Sequence, residues 1–289
     1  MSVMLKDFPK WKAIEFVDWA EFLDYAETPL PKHYKDRCGA DSFKSYSVGN
    51  VGFHGTNSYS EAMSLARGGW QDGIEKMNRL RRKIDHLVRA AAAEKAQSMR
   101  FDLSGEWMDM GRVVMGNPEC WGGFQDIGDA RADKVVTITI NLACSASLSD
   151  NAIFARGAVC LAAVDLIEAI GHRVELRVGS CAENDEGRFE YQVIAKKASD
   201  PLDIDRLTFF LCHKSGPRRY GFACYEHLGR RTSGKPTQML GVKEGDVYVP
   251  ELLSDRDWDE KTLEKKVIAM CREAGIEFEG DVLQNILHR

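Results

Sequence analysis

The clearest hydrophobic pattern lies near the middle of the chain, where two strand patterns flank a helix pattern. Val135–Ile140 is a β-branched run of strand length, and residues 141–151 are small, polar and turn-forming. Residues 153–170 are apolar on almost every side, which is typical of a helix covered by neighbours. Residues 173–178 alternate between charged and aliphatic side chains. The pattern predicts a βαβ unit in which two parallel strands are joined by a right-handed crossover.

The patterns on both sides of this unit predict further helices and strands. After the unit come a hairpin turn at 182–188, strands at 189–196 and 247–249, and helices beginning at Asp200, near Ser254–Trp258 and at Asp281. Before it come a helix over Trp11–Tyr25, a short helix capped by Asn57 or Ser58, a long amphipathic helix from Gly73, and a strand at Arg112–Met115.

These elements predict an α/β fold. Its partly parallel sheet is built on a central βαβ unit and flanked by helices, with an N-terminal helical region. We expect residues 1–132 to form a mainly helical N-terminal region, and residues 133–289 an α/β core with C-terminal helices.

Composition is that of an ordinary globular protein, with 44% hydrophobic and 29% charged residues among 289. The longest apolar runs are too short to span a membrane, so we expect a cytoplasmic protein, in the host cytoplasm if it is phage-encoded. The eight cysteines are scattered without a CxxC pair, which favours reduced thiols and no metal site.

Known catalytic motifs are absent from the sequence. It has no GxxxxGK[ST] or GxGxxG phosphate cradle at the turn after Val135–Ile140, and no GxSxG elbow around Ser145 or Ser147. A serine nucleophile served by His172 or His213 is the weaker alternative to a structural role. We therefore expect no enzyme activity, no catalytic residue and no cofactor.

Charge is distributed unevenly. The net charge is −5, yet residues 213–235 carry six basic residues against one acidic residue, Glu226, so this segment contributes +5 and the rest of the chain −10. Aromatic residues are interleaved with the basic ones. Lysine and arginine that track phosphates, together with rings that stack on bases, are what single-stranded nucleic acid requires.

The predicted nucleic-acid site consists of this basic segment, extended by a basic stretch of the long helix. An alternative stays open for both parts: Phe222 and Tyr225 belong to the core, the arginines pair with the acidic C-terminal third, and the basic residues of the helix are solvated surface. The glycine- and tryptophan-rich loop Trp107–Phe124 either stacks on a ligand or, as we prefer, plugs the sheet edge. The predicted site residues are Lys214, Arg218, Arg219, Tyr220, Phe222, Tyr225, Arg230, Arg231, Lys235, Arg79, Arg81, Arg82 and Lys83.

The stretch TITINLACSASLSDNAIF resembles the first βαβ unit of a von Willebrand A domain, in which a DxSxS loop coordinates Mg²⁺. In that alignment Asn141 or Ala143 takes the place of the aspartate, so Ser145 and Ser147 lack their carboxylate. Hard cations prefer carboxylate oxygen, and the resemblance therefore implies a related fold without the metal.

Four stretches together are similar to a phage protein family. They are FHGTNSYSEAMSLARGGW, the loop NPECWGGF, the unit TINLACSASLS and the segment DPLDIDRLTFFLCH with RRYGF. Their layout resembles the single-stranded-DNA-binding cofactors of phage RNA polymerase in tailed phages of the schitovirus group. The resemblance implies a protein that holds melted DNA and recruits a phage-encoded RNA polymerase.

Two hypotheses follow from the sequence. The first is a non-enzymatic protein that binds single-stranded DNA with little sequence preference and assists phage transcription, as an RNA polymerase cofactor, or replication. The second is a degenerate von Willebrand A-like module that binds proteins and no nucleic acid.

Overall fold

The structure is a computed structural model of the chain. It describes residues 3–8, 10–29, 51–82, 99–105, 107–124, 134–169, 171–229, 234–240, 242–243, 245–258 and 262–276.

A mixed β-sheet forms the centre of the fold. Its strands follow the order β1-β2-β8-β7-β6-β10, and β9 pairs with the end of β7. β6 is parallel to both β7 and β10, and β2 is parallel to β8, whereas β7 and β8 form an antiparallel hairpin. The predicted partly parallel α/β fold is therefore confirmed. The strands are β1 Val3–Phe8, β2 Trp11–Phe16, β6 Val135–Asn141, β7 Arg173–Asn184, β8 Gly187–Lys196, β9 Lys235–Pro236 and β10 Val247–Val249.

Helices cover the sheet. The central one, α6 (Asp150–Ala169), is buried on nearly all sides, as the apolar pattern predicted, and it joins the parallel strands β6 and β7. The others are α1 Trp19–Glu27, α2 Val51–His54, α3 Tyr59–Gly68, α4 at 71–82, α5 Met110–Val114, α7 Ile204–Cys212, a π-helix Gly216–Gly221, α8 Phe222–His227, a 3₁₀ turn Asp255–Asp257 and α9 Leu263–Glu273.

The helix expected over Trp11–Tyr25 is wrong in its first half. Residues 11–16 form β2, which pairs in parallel register with β8. The helix begins only at Trp19, because the Asp18 side chain accepts a hydrogen bond from the Glu21 backbone N–H and so caps it there. Strands β1 and β2 of the N-terminal region therefore belong to the same sheet as the α/β core.

The strand expected at Arg112–Met115 is also wrong. Residues 110–114 form α5, because the Asp109 carboxylate caps the helix by accepting from two backbone N–H groups. A second, small sheet has three antiparallel strands in the order β3-β5-β4, and α5 connects β4 to β5 along the chain. They are β3 Met99–Asp102, β4 Trp107–Met108 and β5 Trp121–Phe124.

Boundaries shift in the C-terminal part. Helix α7 is capped by Asp203 rather than by Asp200. The stretch expected to start a helix near Ser254 forms the 3₁₀ turn, and α9 begins later, at Leu263. The helix predicted from Asp281 lies outside the described residues.

Two apolar clusters stabilise the body. One packs α6 and α9 against β6, β7 and β10; the other is rich in aromatic rings and gathers α1, α3, α7 and the π-helix against β2 and β8. The loops after β6 and β10 meet in a bridge between Cys144 and Leu252, so the carboxyl ends of these strands lie side by side. The cysteines among the described residues are free thiols.

Candidate functional site

The predicted nucleic-acid segment lies mostly inside the protein. Arg218 and Arg219 on the π-helix are only 2% and 1% exposed, and Tyr220 and Tyr225 are equally buried. Their assignment to an exposed phosphate-binding and base-stacking surface is therefore wrong.

Arg218 bonds to backbone carbonyl groups of two loops. Its Nη1 donates to the Phe53 carbonyl and its Nη2 to the Ser145 carbonyl, each at 2.6 Å. The guanidinium also lies over the Phe53 ring, with its carbon 4.5 Å from the centroid. Because these contacts occupy the guanidinium, Arg218 joins α2, the π-helix and the loop after β6, and presents no free face to a phosphate.

Arg219 makes a similar connection to the turn after α2. Its Nη2 donates to the Thr56 carbonyl at 2.8 Å and its Nε to the Thr56 hydroxyl at 3.3 Å. The same hydroxyl lies 3.1 Å from that of Ser215, which donates to the His54 carbonyl at 2.7 Å. Burial lowers the pKa of Arg219. We call this set, Arg218 and Arg219 with His54, Thr56 and Ser215, the arginine clasp.

The aromatic residues of the segment are part of the core. The Tyr220 ring packs 5.4 Å from that of Phe210, and its hydroxyl donates to the Glu27 carboxylate at 2.8 Å. Tyr225 packs 4.4 Å from Phe189 and bonds Ser180 through its hydroxyl. Phe222 is half-buried and stacks on Phe53. The alternative that Phe222 and Tyr225 belong to the core is confirmed for Tyr225, whereas Phe222 is only half-buried. The hydrogen bonds that hold Arg218 and Arg219 include those to the carbonyl groups of Phe53, Ser145 and Thr56.

The other predicted residues divide into paired, exposed and undescribed ones. Lys214 pairs with Asp150 at 2.5 Å, and Arg81 pairs with Asp165 at 2.5 Å. Arg79 and Arg82 on α4, and Lys235 on β9, are exposed. Lys83, Arg230 and Arg231 lie outside the described residues.

The carboxyl end of β6 is closed by Asn141, which is fully buried. Its side-chain N–H₂ donates to the Thr237 carbonyl at 2.8 Å and the Tyr248 hydroxyl at 3.1 Å, and its Oδ1 accepts from the Ala143 N–H at 3.0 Å. Nη1 of the buried Arg156 donates to the Asn141 carbonyl at 3.0 Å. An amide donor thus occupies one of the two positions that the von Willebrand A alignment assigns to the aspartate, and this donor set does not suit a hard cation. The described residues contain no group of three or more His, Cys, Asp and Glu side chains that could hold a metal ion.

The serines after β6 do not meet their suggested histidines. The Ser145 and Ser147 hydroxyls lie 3.4 Å from each other. His172 precedes β7 at the opposite end of the parallel pair, so the length of β6, about 20 Å at 3.3 Å per residue, separates it from the serines. His213 is engaged on α7, where its ring stacks on Phe209 and its Nδ1 accepts from the Ser215 N–H.

An exposed apolar surface on the small sheet is the feature that sequence reasoning missed. Eleven large hydrophobic side chains are exposed among the described residues, and six of them lie in the single stretch 103–115. Val114 and Met115 are 83% and 81% exposed. We call these six the docking surface: Leu103, Met108, Met110, Val113, Val114 and Met115. The methionines of MDMGRVVM are a signal for this surface in the sequence, but the strand prediction at Arg112–Met115 does not use them.

Aromatic side chains hold the small sheet together behind this surface. The Trp107 ring packs edge-on against Phe101 at 5.5 Å and lies directly over the backbone of Gly122, where an added Cβ would be 2.3 Å from the ring. The Arg112 guanidinium lies over the Phe101 ring, with its carbon 3.7 Å from the ring centroid. Phe101 and Trp107 are half-buried and contact each other and β5, so they help to fill the small sheet. A plug at the sheet edge stays a prediction.

Comparison with protein families gives one match. Residues 9–277 match the family described as Domain of unknown function (DUF7192). The chain belongs to this family. The DUF7192 match covers the arginine clasp, the small sheet and every strand of the large sheet except β1. Comparison with curated proteins and with solved structures gives no match. No helix in the described part of this DUF7192 member is long and apolar enough to cross a membrane.

Proposed function

We propose that the chain is a non-catalytic binding protein that holds a protein partner on the docking surface. The observation that carries this proposal is the concentration of exposed Met, Val and Leu side chains on α5 and its flanks. Burying one such side chain contributes about 1.5–3 kcal/mol, so covering several of them provides substantial binding energy. A contiguous exposed apolar patch on a folded protein commonly marks an interaction site.

The centre of the fold supports a von Willebrand A-like module that works without its metal. The β6–α6–β7 unit provides the parallel strands that the resemblance implies. Asn141 takes one of the two positions that the alignment gives to the metal-binding aspartate. Its side-chain N–H₂ donates instead to the Thr237 carbonyl and the Tyr248 hydroxyl. Such a module needs another surface for its partner, and the docking surface supplies one.

The resemblance to phage RNA polymerase cofactors suggests a phage-encoded RNA polymerase as the partner. The experiment places a photo-crosslinking amino acid at Met115 or, as the matched control, at Leu240, which is also exposed but lies far along the chain. Cells that produce the chain together with the polymerase are then irradiated. Cross-linking of the polymerase from position 115 and not from 240 is the expected result. Equal cross-linking from both positions, or none from 115, would contradict the proposal.

Single-stranded DNA binding is the second candidate, now restricted to predicted site residues that are exposed in the structure. Arg79 and Arg82 are exposed three residues apart on α4, and neither takes part in the ion pairs found within the described residues. Basic residues on one helix face contact successive phosphates, and Lys235 offers a further exposed cation.

Binding to single-stranded and duplex oligonucleotides at two salt concentrations tests this candidate. DNA binding through arginine predicts an affinity that falls as salt rises and that weakens in the double variant Arg79→Ala with Arg82→Ala. The variant Arg67→Ala is the matched control, since Arg67 already pairs with Asp24 and Glu27. Absence of binding at either salt concentration would exclude the DNA hypothesis and leave the protein-binding one.

A further inference from the structure

The docking surface is held in place before any partner arrives. Helix α5 begins at the Asp109 cap, and the Asp109 N–H donates to the Cys120 carbonyl at 2.8 Å, which fixes the helix to the start of β5. The Arg112 side chain stacks inward on Phe101 and donates to the Glu119 carbonyl. The exposed apolar side chains therefore sit on a folded frame, and binding needs little ordering of the backbone.

Acidic side chains outnumber basic ones among residues 101–105 and 107–123. Asp102, Asp109 and Glu119 stand against Arg112, whose Nε lies 3.9 Å from an Asp109 carboxylate oxygen. The Arg112 guanidinium is covered on one face by the Phe101 ring, whereas Glu119 is exposed. The local field is thus negative around an apolar centre, which favours a partner with positive charge at its rim.

Methionine gives the surface its second property. Met108, Met110 and Met115 are all exposed, and an unbranched, polarizable thioether adapts its shape to different apolar side chains. Surfaces of this kind accept the apolar face of an amphipathic helix, which presents anchors at i, i+3, i+4 and i+7.

We propose that the docking surface binds an amphipathic helix of a partner protein whose polar face is basic. This inference rests on the proposed protein-binding function and specifies the chemistry of the partner. A second copy of the chain fits less well, because two acidic rims would face each other. An anionic membrane or a nucleic acid strand would be repelled by the same carboxylates.

The test uses the full chain and two labelled synthetic peptides of equal length. One has leucine at helical spacing with lysine on the other face, and the second has glutamate in place of every lysine. Fluorescence anisotropy at low and high salt measures each affinity. We expect the lysine peptide to bind at least tenfold more tightly than the glutamate peptide, with the difference shrinking as salt rises.

Three variants locate the binding. The double variant Val114→Asp with Met115→Asp should reduce the affinity of the lysine peptide at least tenfold, and Glu119→Lys should reduce it several-fold. Leu240→Asp should leave it unchanged, since Leu240 is an exposed leucine outside the docking surface. Circular dichroism of each variant checks that the fold is retained.

Four results would overturn the proposal. They are equal or tighter binding of the glutamate peptide, binding of neither peptide, loss of binding in the Leu240 variant as well, and a dimer in light scattering that the Val114 and Met115 changes disrupt. In each case the crosslinking experiment from position 115 still decides independently whether a protein partner binds there, so failure of the helix proposal is distinguishable from failure of the proposed function.

Discussion

Nη2 of Arg218 lies 2.6 Å from the carbonyl oxygen of Ser145, and this hydrogen bond ties the π-helix to the loop that follows β6. The other arm of the guanidinium holds Phe53, on a helix more than 150 residues earlier in the chain. One side chain therefore connects three parts of the fold. The charged group that predicted a DNA ligand instead forms hydrogen bonds inside the protein.

Replacing Arg218 should reduce stability. Arg218→Ala leaves two carbonyl groups without their donors in a buried position, so we expect the free energy of unfolding to fall by about 2–4 kcal/mol. Arg218→Lys should recover only part of this loss, because one ammonium cannot replace the planar fork that reaches both carbonyls. Urea denaturation measures the change. The exposed Arg79→Ala is the control, expected within about 0.5 kcal/mol of the parent; an Arg218→Ala variant as stable as this control would contradict the clasp.

Stability should depend on pH through the buried His54 and the partly buried His213. Burial, the first cause for each, lowers the pKa of His54 and of His213 to about 4, with positive charge from Arg219 adding to the effect at His54. In the unfolded chain the histidine pKa is about 6.5. Between about pH 6.5 and 4 the unfolded state binds more protons than the folded state. The free energy of unfolding should therefore fall as pH decreases through this window, and the contribution of the neutral histidines should be complete above about pH 6.5.

The variant His213→Asn isolates one of the two groups. Asparagine keeps an acceptor for the Ser215 N–H but takes up no proton. Unfolding free energies measured from pH 7.5 down to 4.5 should show a shallower loss in this variant than in the parent. An unchanged pH dependence would show that His213 does not contribute to it.

Two adjacent glycines in β5 should respond differently to alanine. A Cβ at Gly122 would lie 2.3 Å from the Trp107 ring, whereas a Cβ at Gly123 has its nearest neighbour, Gly105 Cα, at 4.0 Å. Gly122→Ala should force the ring away and destabilise the small sheet by about 1–3 kcal/mol. Hydrogen exchange of residues 99–124 should accelerate in Gly122→Ala and stay near the parent rate in Gly123→Ala; equal exchange in both variants would contradict this packing.

Restoring an aspartate at the end of β6 should not create a metal site. Asn141→Asp removes the N–H₂ that bonds Thr237 and Tyr248 and places a charge near the Glu251 carboxylate, which lies 3.4 Å from the amide nitrogen. The free energy of unfolding should fall by about 1–3 kcal/mol with or without Mg²⁺. Thermal unfolding at several Mg²⁺ concentrations checks this, and a stabilisation by Mg²⁺ specific to the variant would show that the position can still bind the cation.

The sequence predicts an element correctly where its hydrophobic pattern fits only one kind of secondary structure. The helix α6 is apolar all round because helices and the sheet cover it, and β6 is β-branched because both of its neighbours are parallel strands. Ser58 caps α3 as the pattern predicted, and its hydroxyl accepts from the Glu61 N–H. These features depend on short-range chemistry that can be read within a few residues.

The errors arose where partners distant in sequence decide the outcome. Trp11 to Phe16 are strand because β8 pairs with them, and no local signal shows that partner. Arg218 and Arg219 look like surface residues by type, since arginine is rarely buried. Their burial depends on carbonyl groups of residues 53, 56 and 145, which only the fold brings together.

The pairing of β2 with β8 also sets the order in which the molecule can be completed during synthesis. Trp11 lies opposite Arg188, so β2 cannot pair with β8 until the roughly 180 residues between them have been synthesised. At about 5–20 residues per second this interval is on the order of 10–35 s. Throughout it, Trp19 and Phe22 lack their final cover in the growing chain, and chaperones therefore have time to bind this segment.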